Sequence, residues 1–409
     1  MYRKGDLQKY AELIVKVGVN LQKNQIMVLH CSAENSEFGN LVMEEAFKAG
    51  AKDVVRIYDD ERAQRIRYHY ATVETLKDIP QWQVDLWVSN AKKGACFVWL
   101  ESDDPDAFLG LNGKKISEGR KAWLHARKEF NEIIDRGENQ WTIVAIPSIG
   151  WAKKLFPHET EQNGIRKLWD SILHCIRIDT PDPVKAWEIH TETIRKRCNW
   201  LNETDFRTFH ITNASGTDLI VEMADDNLFC GGADETVSGV AYQANMPTEE
   251  VFSMPHSGRV NGCVISSMPL NYQGVLIDDF VLTFNDGKVV EHRAEKGMDA
   301  LTALLDIDDG SRRLGEIALV PYTSPIRETG ILFFNTLFDE NASCHLALGS
   351  AYPSNMKGCL TMSMEERKAK GYNNSVSHID FMFGTADLKI VGITREGKEV
   401  PVFSDGNWA

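Results

Sequence analysis

From Asp6 onward, Leu7, Tyr10, Ala11, Ile14, Val17 and Leu21 recur every three or four residues, the stripe of an amphipathic helix behind a capping aspartate. An unbroken apolar run, Ile26 to Leu29, follows it as a strand. The alternation repeats: a helix from about Ser36 to Gly50, a strand from Asp53 to Tyr58, another helical stretch, then apolar runs from Ala95 to Leu100 and from Trp141 to Ile146. Such strands, separated by helices, predict a parallel sheet covered by helices.

Two helical segments, Glu159 to Ile178 and Pro183 to Leu201, precede a change of texture. From Phe206 the pattern is one of short strands and turns. His210 and Thr212 alternate with Ile211 before Asn213-Ala214-Ser215-Gly216, Val281 to Phe284 runs into Asn285-Asp286-Gly287, and a last hairpin from Leu388 to Phe403 turns at Glu396-Gly397. One helix, near Lys296 to Leu305, interrupts them. The expected organisation is an α/β N-terminal domain with a parallel sheet over residues 1–185. A mixed α+β, strand-rich C-terminal domain is expected over 186–409.

Length agrees with two domains, since 409 residues exceed what one hydrophobic core serves. A net charge of −14 with no stripe of Lys and Arg argues against nucleic acid and anionic membranes, and favours cations. Lys4, Asp6, Lys9, Glu12 and Lys16 interrupt the first stretch, so no secretory signal is expected there. No window approaches the roughly 20 apolar residues that cross a bilayer, which leaves the expectation of a soluble, cytoplasmic protein. The eight cysteines are scattered without a C-x-x-C pair and read as reduced and mostly buried.

Four blocks in the second half carry candidate chemistry. Asn245-Met246-Pro247-Thr248-Glu249-Glu250-Val251-Phe252 sets two adjacent carboxylates after a proline, which taken alone is also what a surface acidic pair looks like. Leu314-Gly315-Glu316-Ile317-Ala318-Leu319 is an apolar strand with one carboxylate near its start, a residue that could equally pair with Arg312 or Arg313. Asp339-Glu340-Asn341-Ala342-Ser343-Cys344-His345 sets an imidazole among small and apolar residues, where core histidines also sit. Ser377-His378-Ile379-Asp380-Phe381 reads as a strand on which His378 and Asp380 share a face.

One explanation covers all four. Imidazoles and carboxylates bind zinc, cobalt or manganese, and a pair of ions commonly shares a carboxylate and a water. Two divalent ions carry about +4; Glu250, Glu316 and Asp380 supply three negative charges and a hydroxide the fourth, so a buried site would approach neutrality, with His345 and His378 completing the shell. The chain has no H-E-x-x-H helix and no cysteine placed for a structural zinc.

These blocks, together with the Tyr10-Ala11 helix, Ile149-Gly150-Trp151-Ala152 and the hairpin after Asp387, resemble the thermophilic-type metalloaminopeptidases over essentially the whole chain. The resemblance implies two metal ions held by Glu250, Glu316, His345, His378 and Asp380, with Glu340 and Tyr352 at the site. It implies removal of N-terminal residues from short peptides, and a homodimer whose sites open into a shared cavity. Glu340 and Glu249 are then the candidates for proton transfer, Glu340 being preferred because strand neighbours face opposite ways. Tyr352 is a candidate oxyanion donor, or simply packs against Pro353. Two other classes remain open at this point. A nucleotide-dependent enzyme is weakened because Ile26 to Leu29 runs into His30-Cys31-Ser32-Ala33 without phosphate-cradling glycines. A non-catalytic ligand-binding protein would use the carboxylates only to hold a structural ion.

Overall fold

In a computed structural model of the protein, residues 4–272 and 274–409 are described. The chain forms two compact units, residues up to 189 with 233–247, and residues 190–232 with 248–409.

The first unit is built on a parallel sheet whose strands lie in the order Asp53–Asp59, Ile26–Ser32, Cys96–Glu101, Trp141–Ala145, Asn245–Met246. Its inner strands are covered on both sides: Met27, Val28, Leu29, Phe97 and Val98 are at most 1% exposed, which explains their continuous rather than alternating apolar character. The first helix, Lys4–Leu13, loosens into a π turn over Ile14–Gly18 before the first strand. Helices Ser36–Lys48, Gln81–Lys92 and Glu161–Cys175 pack around the sheet.

The second unit holds two antiparallel sheets. The larger has nine strands, and in it Val275–Asn285 turns into Lys288–Lys296 through Asp286 and Gly287, both at positive φ (48° and 78°). That left-handed pair is the two-residue turn expected of Asn-Asp-Gly, matching the strands' twist. The smaller sheet has the order Val251–Ser253, Leu314–Leu319, His345–Gly349, His378–Met382. One of its faces, bearing Ile317, Leu319, Leu346, Leu348 and Phe381, is sealed into the apolar core with Phe209 and Phe280. Besides the expected helix, found at Met298–Leu305, three short helices appear at Pro325–Glu328, Thr336–Asp339 and Met364–Ala369. All eight cysteines are free thiols and six are buried. Among the described residues no helix is long and apolar enough to cross a membrane.

Candidate metal centre

The other face of the smaller sheet gathers the candidate ligands. Residues paired across neighbouring strands present their side chains on the same side. Glu316, Ala347 and Asp380 form one such row; Phe252, Ala318, His345 and Met382 form the next; and Gly349 pairs with His378. Glu250 joins from just before Val251–Ser253. Alanine and glycine therefore form the floor, leaving an open volume bounded by three carboxylates and two imidazoles.

A β-bulge makes this face possible. Leu314 pairs with Leu348 and Glu316 with Ala347, so Gly315 is the extra residue. On a regular strand Leu314 and Glu316 would point the same way; the bulge sends Leu314 into the core and Glu316 onto the site. A side chain at Gly315 would collide with the carbonyl oxygens of Gly349 and Ser350, so glycine is required there.

His345 Nε2 lies 3.2 Å from Glu250 Oε2 and 3.4 Å from Glu316 Oε1. His378 Nε2 lies 3.3 Å from Asp380 Oδ1 and 3.8 Å from Glu316 Oε2. Two three-residue groups result, Glu250-Glu316-His345 and Glu316-His378-Asp380, each with its ligand atoms within 4.8 Å of one another. Glu316 belongs to both, one oxygen turned to each imidazole. Metal–ligand bonds of about 2.1 Å imply ligand atoms about 3.4 Å apart around a tetrahedral ion, so this donor set fits a pair of divalent ions. Asp380 Oδ1 is shut off from solvent and has no well-formed hydrogen bond, its nearest imidazole nitrogen, His378 Nε2, lying 3.3 Å away, which suits an oxygen that would ligate a cation.

The imidazoles are oriented from behind. His345 Nδ1 is 3.3 Å from the Ser343 carbonyl and His378 Nδ1 is 2.7 Å from that of Ser350, which makes both Nδ1 atoms donors and turns each Nε2 towards the carboxylates, where it could give its lone pair to a metal on losing its proton. The charges strain against burial. Burial, helped by Asp380 and Glu250 and opposed by a hydrogen bond from His345, pushes the Glu316 carboxyl up to about 7. Burial disfavours the imidazolium of His378, yet Asp380 and Glu316 outweigh it and raise the ring to about 9. In the same way Glu250 and Glu316 lift His345 well above the usual imidazole value. The crowding of carboxylates thus raises the proton affinity of both imidazoles and of Glu316.

The chain matches the family model described as thermophilic metalloprotease (M29) over residues 3–408. It belongs to that family. Among relatives of this M29 protein, aminopeptidase AmpS of Bacillus subtilis (strain 168) is 41% identical over 403 residues, covering 98% of each chain. Aminopeptidase T of Thermus thermophilus is 39% identical over 405 residues, covering 99% of this chain and 98% of the relative. The solved structure of wild-type AmpT from Thermus thermophilus superposes with a TM-score of 0.93 at 38% identity, covering 99% of both chains. A 2,5-dihydroxypyridine dioxygenase from Pseudomonas putida KT2440 shares the fold, at a TM-score of 0.54 and 12% identity.

The remaining candidates of the M29 chain divide. Glu340, at the end of the short helix Thr336–Asp339, shares a small pocket with Asp380, and burial together with the charges of Asp380 and Glu250 raises its carboxyl well above the glutamate range. The Tyr352 ring lies 4.6 Å from that of His378, so it meets the site rather than only Pro353. Burial and the facing charge of Glu316 raise its hydroxyl. Glu249 is buried, but its Oε2 is 3.7 Å from His190 Nε2, outside both ligand groups. Arg312 and Arg313 pair with Asp306 and Asp309, leaving Glu316 to the cluster.

Sequence reasoning missed His190 and Asn341. His190 Nε2 is 2.7 Å from the Thr248 carbonyl. Asn341, 1% exposed, accepts from the Glu249 backbone N–H at 2.7 Å and donates to the Leu337 carbonyl at 3.0 Å, tying the Glu250 strand to the Glu340 turn. A buried asparagine after an acidic pair was the available signal for the second; none marked the first.

Proposed function

We propose that this M29 protein is a metal-dependent aminopeptidase that removes N-terminal residues from short peptides, with two divalent ions held by Glu250, Glu316, His345, His378 and Asp380. The observation that carries the reading is the shared carboxylate: Glu316 turns Oε1 to His345 at 3.4 Å and Oε2 to His378 at 3.8 Å, as a bridging ligand must. The names of its relatives support exopeptidase activity. When bound, such ions supply a water nucleophile at neutral pH and polarise the scissile carbonyl. The protein's own groups do the rest. Glu340 beside Asp380, with a carboxyl whose proton affinity is raised by burial, takes the proton from the nucleophile and returns it to the leaving amine. Tyr352, packed at a tilt against His378, donates to the oxyanion that forms at the carbonyl. Glu249 faces His190 and serves to position the strand entry that carries Glu250. The chain is read as a homodimer, and zinc, cobalt and manganese are the ions suited to this mixed nitrogen and oxygen donor set.

The test combines metal counting with turnover of amino-acid p-nitroanilides, free dipeptides and N-acetyl dipeptides. Chelation should silence hydrolysis, and zinc, cobalt or manganese should restore it as two ions per chain bind. Turnover of the blocked peptides, or full activity after complete metal removal, would overturn the reading. A single bound ion at full activity would overturn its two-metal part alone.

A further inference from the structure

The first unit carries a cavity that this hydrolysis does not use. In its parallel sheet the chain passes from Ile26–Ser32 to the neighbour Asp53–Asp59 on one side, then crosses to Cys96–Glu101 on the other. Where strand order reverses in this way, the following connections diverge to opposite faces and leave a crevice outside the carboxyl ends, the usual ligand position in open α/β sheets. Here that crevice is a cavity of about 430 Å³, within the ordinary range for small-molecule sites, and it is lined by the strand ends Ser32, Asp59 and Glu101.

The lining chemistry narrows the occupant. Glu61, Asp103 and Asp135 join Asp59 and Glu101 as five carboxylates against a single guanidinium, Arg127, so phosphate-bearing ligands are repelled. The acids crowd one another: burial, with the charges of Asp103, Asp104 and Asp59, pushes the Glu61 carboxyl up to about 7 even though the Asp104 N–H donates to it. His30, 3.7 Å from Asp59, is kept towards its neutral form by burial and does not balance them. Arg127 lies over Phe130 at 5.8 Å, and its Nε is shut off from solvent without a hydrogen bond. The wall between these charges is aromatic: Trp99 stacks on Trp87 at 5.7 Å and 4°, with Phe130 at 6.4 Å and 67°.

A ligand matching all three features has an ammonium group, a carboxylate and a flat apolar body. We propose that this crevice is a second, non-catalytic site for a free aromatic α-amino acid, with the ammonium between Asp59 and Asp103, the carboxylate on Arg127 and the ring against Trp99. The inference does not depend on the hydrolase reading, although a product of such a hydrolysis belongs to the same chemical class.

The test uses the full chain in chelator, so that no metal-bound amine confuses the signal. Titration calorimetry with L-phenylalanine should give saturable binding at one molecule per chain. Phenethylamine, which lacks the carboxylate, and N-acetyl-L-phenylalanine, which lacks the ammonium, should each bind at least about tenfold more weakly, the scale of one charge-assisted contact. Asp59→Asn and Arg127→Met should weaken phenylalanine by a similar factor and leave metal-restored p-nitroanilide turnover unchanged. Absence of saturable binding up to the solubility limit, equal binding of the acetylated compound, or indifference to Asp59→Asn would overturn the proposal. Should Arg127→Met fail to fold, wild-type crystals soaked in p-bromophenylalanine decide the matter: bromine density against Trp99 supports the site, and its absence refutes it.

Discussion

Replacing Glu316 by glutamine should move stability and activity in opposite directions. The residue is 4% exposed, and burial raises its carboxyl from 4.5 to about 7. A carboxyl whose folded value lies above its unfolded one holds its proton more tightly in the folded state. The fold therefore bears no penalty below about pH 4.5, an increasing one between 4.5 and about 7, and the whole of it above. At about 1.4 kcal/mol per pH unit that interval sets a ceiling of ~3 kcal/mol, which sharing of protons with His345 and Asp380 reduces to about 1–3. Glutamine keeps the shape and carries no charge. In chelator at pH 8 the variant should then unfold about 2–12 °C above wild type, given roughly 2–4 °C per kcal/mol for a unit of this size, and at pH 5 the difference should nearly vanish. Hydrolysis should fall by at least about a thousandfold, because one ligand shared by both groups has gone. Thermal melts at the two pH values and a p-nitroanilide assay read both effects. Equal destabilisation at pH 5 and pH 8 would mean that Glu316 is a structural ion-pair partner of His345, and the charge-strain argument would fail.

Four further substitutions probe the arrangement. Glu340→Gln should lower kcat by about 10²–10⁴ with metal content intact; unchanged turnover would move proton transfer to another group. Tyr352→Phe should cost about 3–4 kcal/mol of transition-state stabilisation with KM nearly constant, and a rise in KM alone would reduce the ring to substrate packing. Ala347→Leu fills the floor between Glu316 and Asp380, whose Cβ atoms lie about 5 Å to either side, so metal content and activity should both collapse while far-ultraviolet dichroism stays native. A fully loaded, active Ala347→Leu protein would contradict the shared face. Asn341→Ala removes the side-chain bonds to the Glu249 N–H and the Leu337 carbonyl and should destabilise by about 1–3 kcal/mol in urea titrations, where no change would remove its bracing role.

The alternation of the first half was readable because strands such as Ile26–Ser32 are apolar on both faces and bounded by well-patterned helices. The edge strand Asn245–Met246 was not, since two residues leave no period and its pairing with Trp141–Ala145 is set about a hundred residues away. The helices Pro325–Glu328 and Thr336–Asp339 are about one turn long, too short for a stripe. In the candidate site, His378 and Asp380 could be placed on one face by strand periodicity alone. That Glu316 faces them could not, because Gly315 shifts the alternation by one and a glycine in a strand does not announce whether it bulges. Ala318, Ala347 and Gly349 looked like ordinary strand residues; only the cross-strand register makes them a floor. The crevice proposed for an amino acid was hidden for the same reason, its acids coming from two strand ends, the segments just after them and the helix Lys128–Asp135.

The sheet that presents the ligands is clamped from behind: Ile317, Leu319, Leu346, Leu348 and Phe381 are each at most 1% exposed. A frame so backed cannot dilate without pulling close-packed side chains apart. Such a cage would sort cations by the bond lengths and donors they require. Calcium, with bonds of about 2.3–2.6 Å and six to eight oxygen partners, would ask the strands to spread, and magnesium gains little from two nitrogen donors. In a mixture dominated by those two abundant ions, the rigidity of the apolar backing would reserve the pocket for scarcer, smaller-cage transition metals.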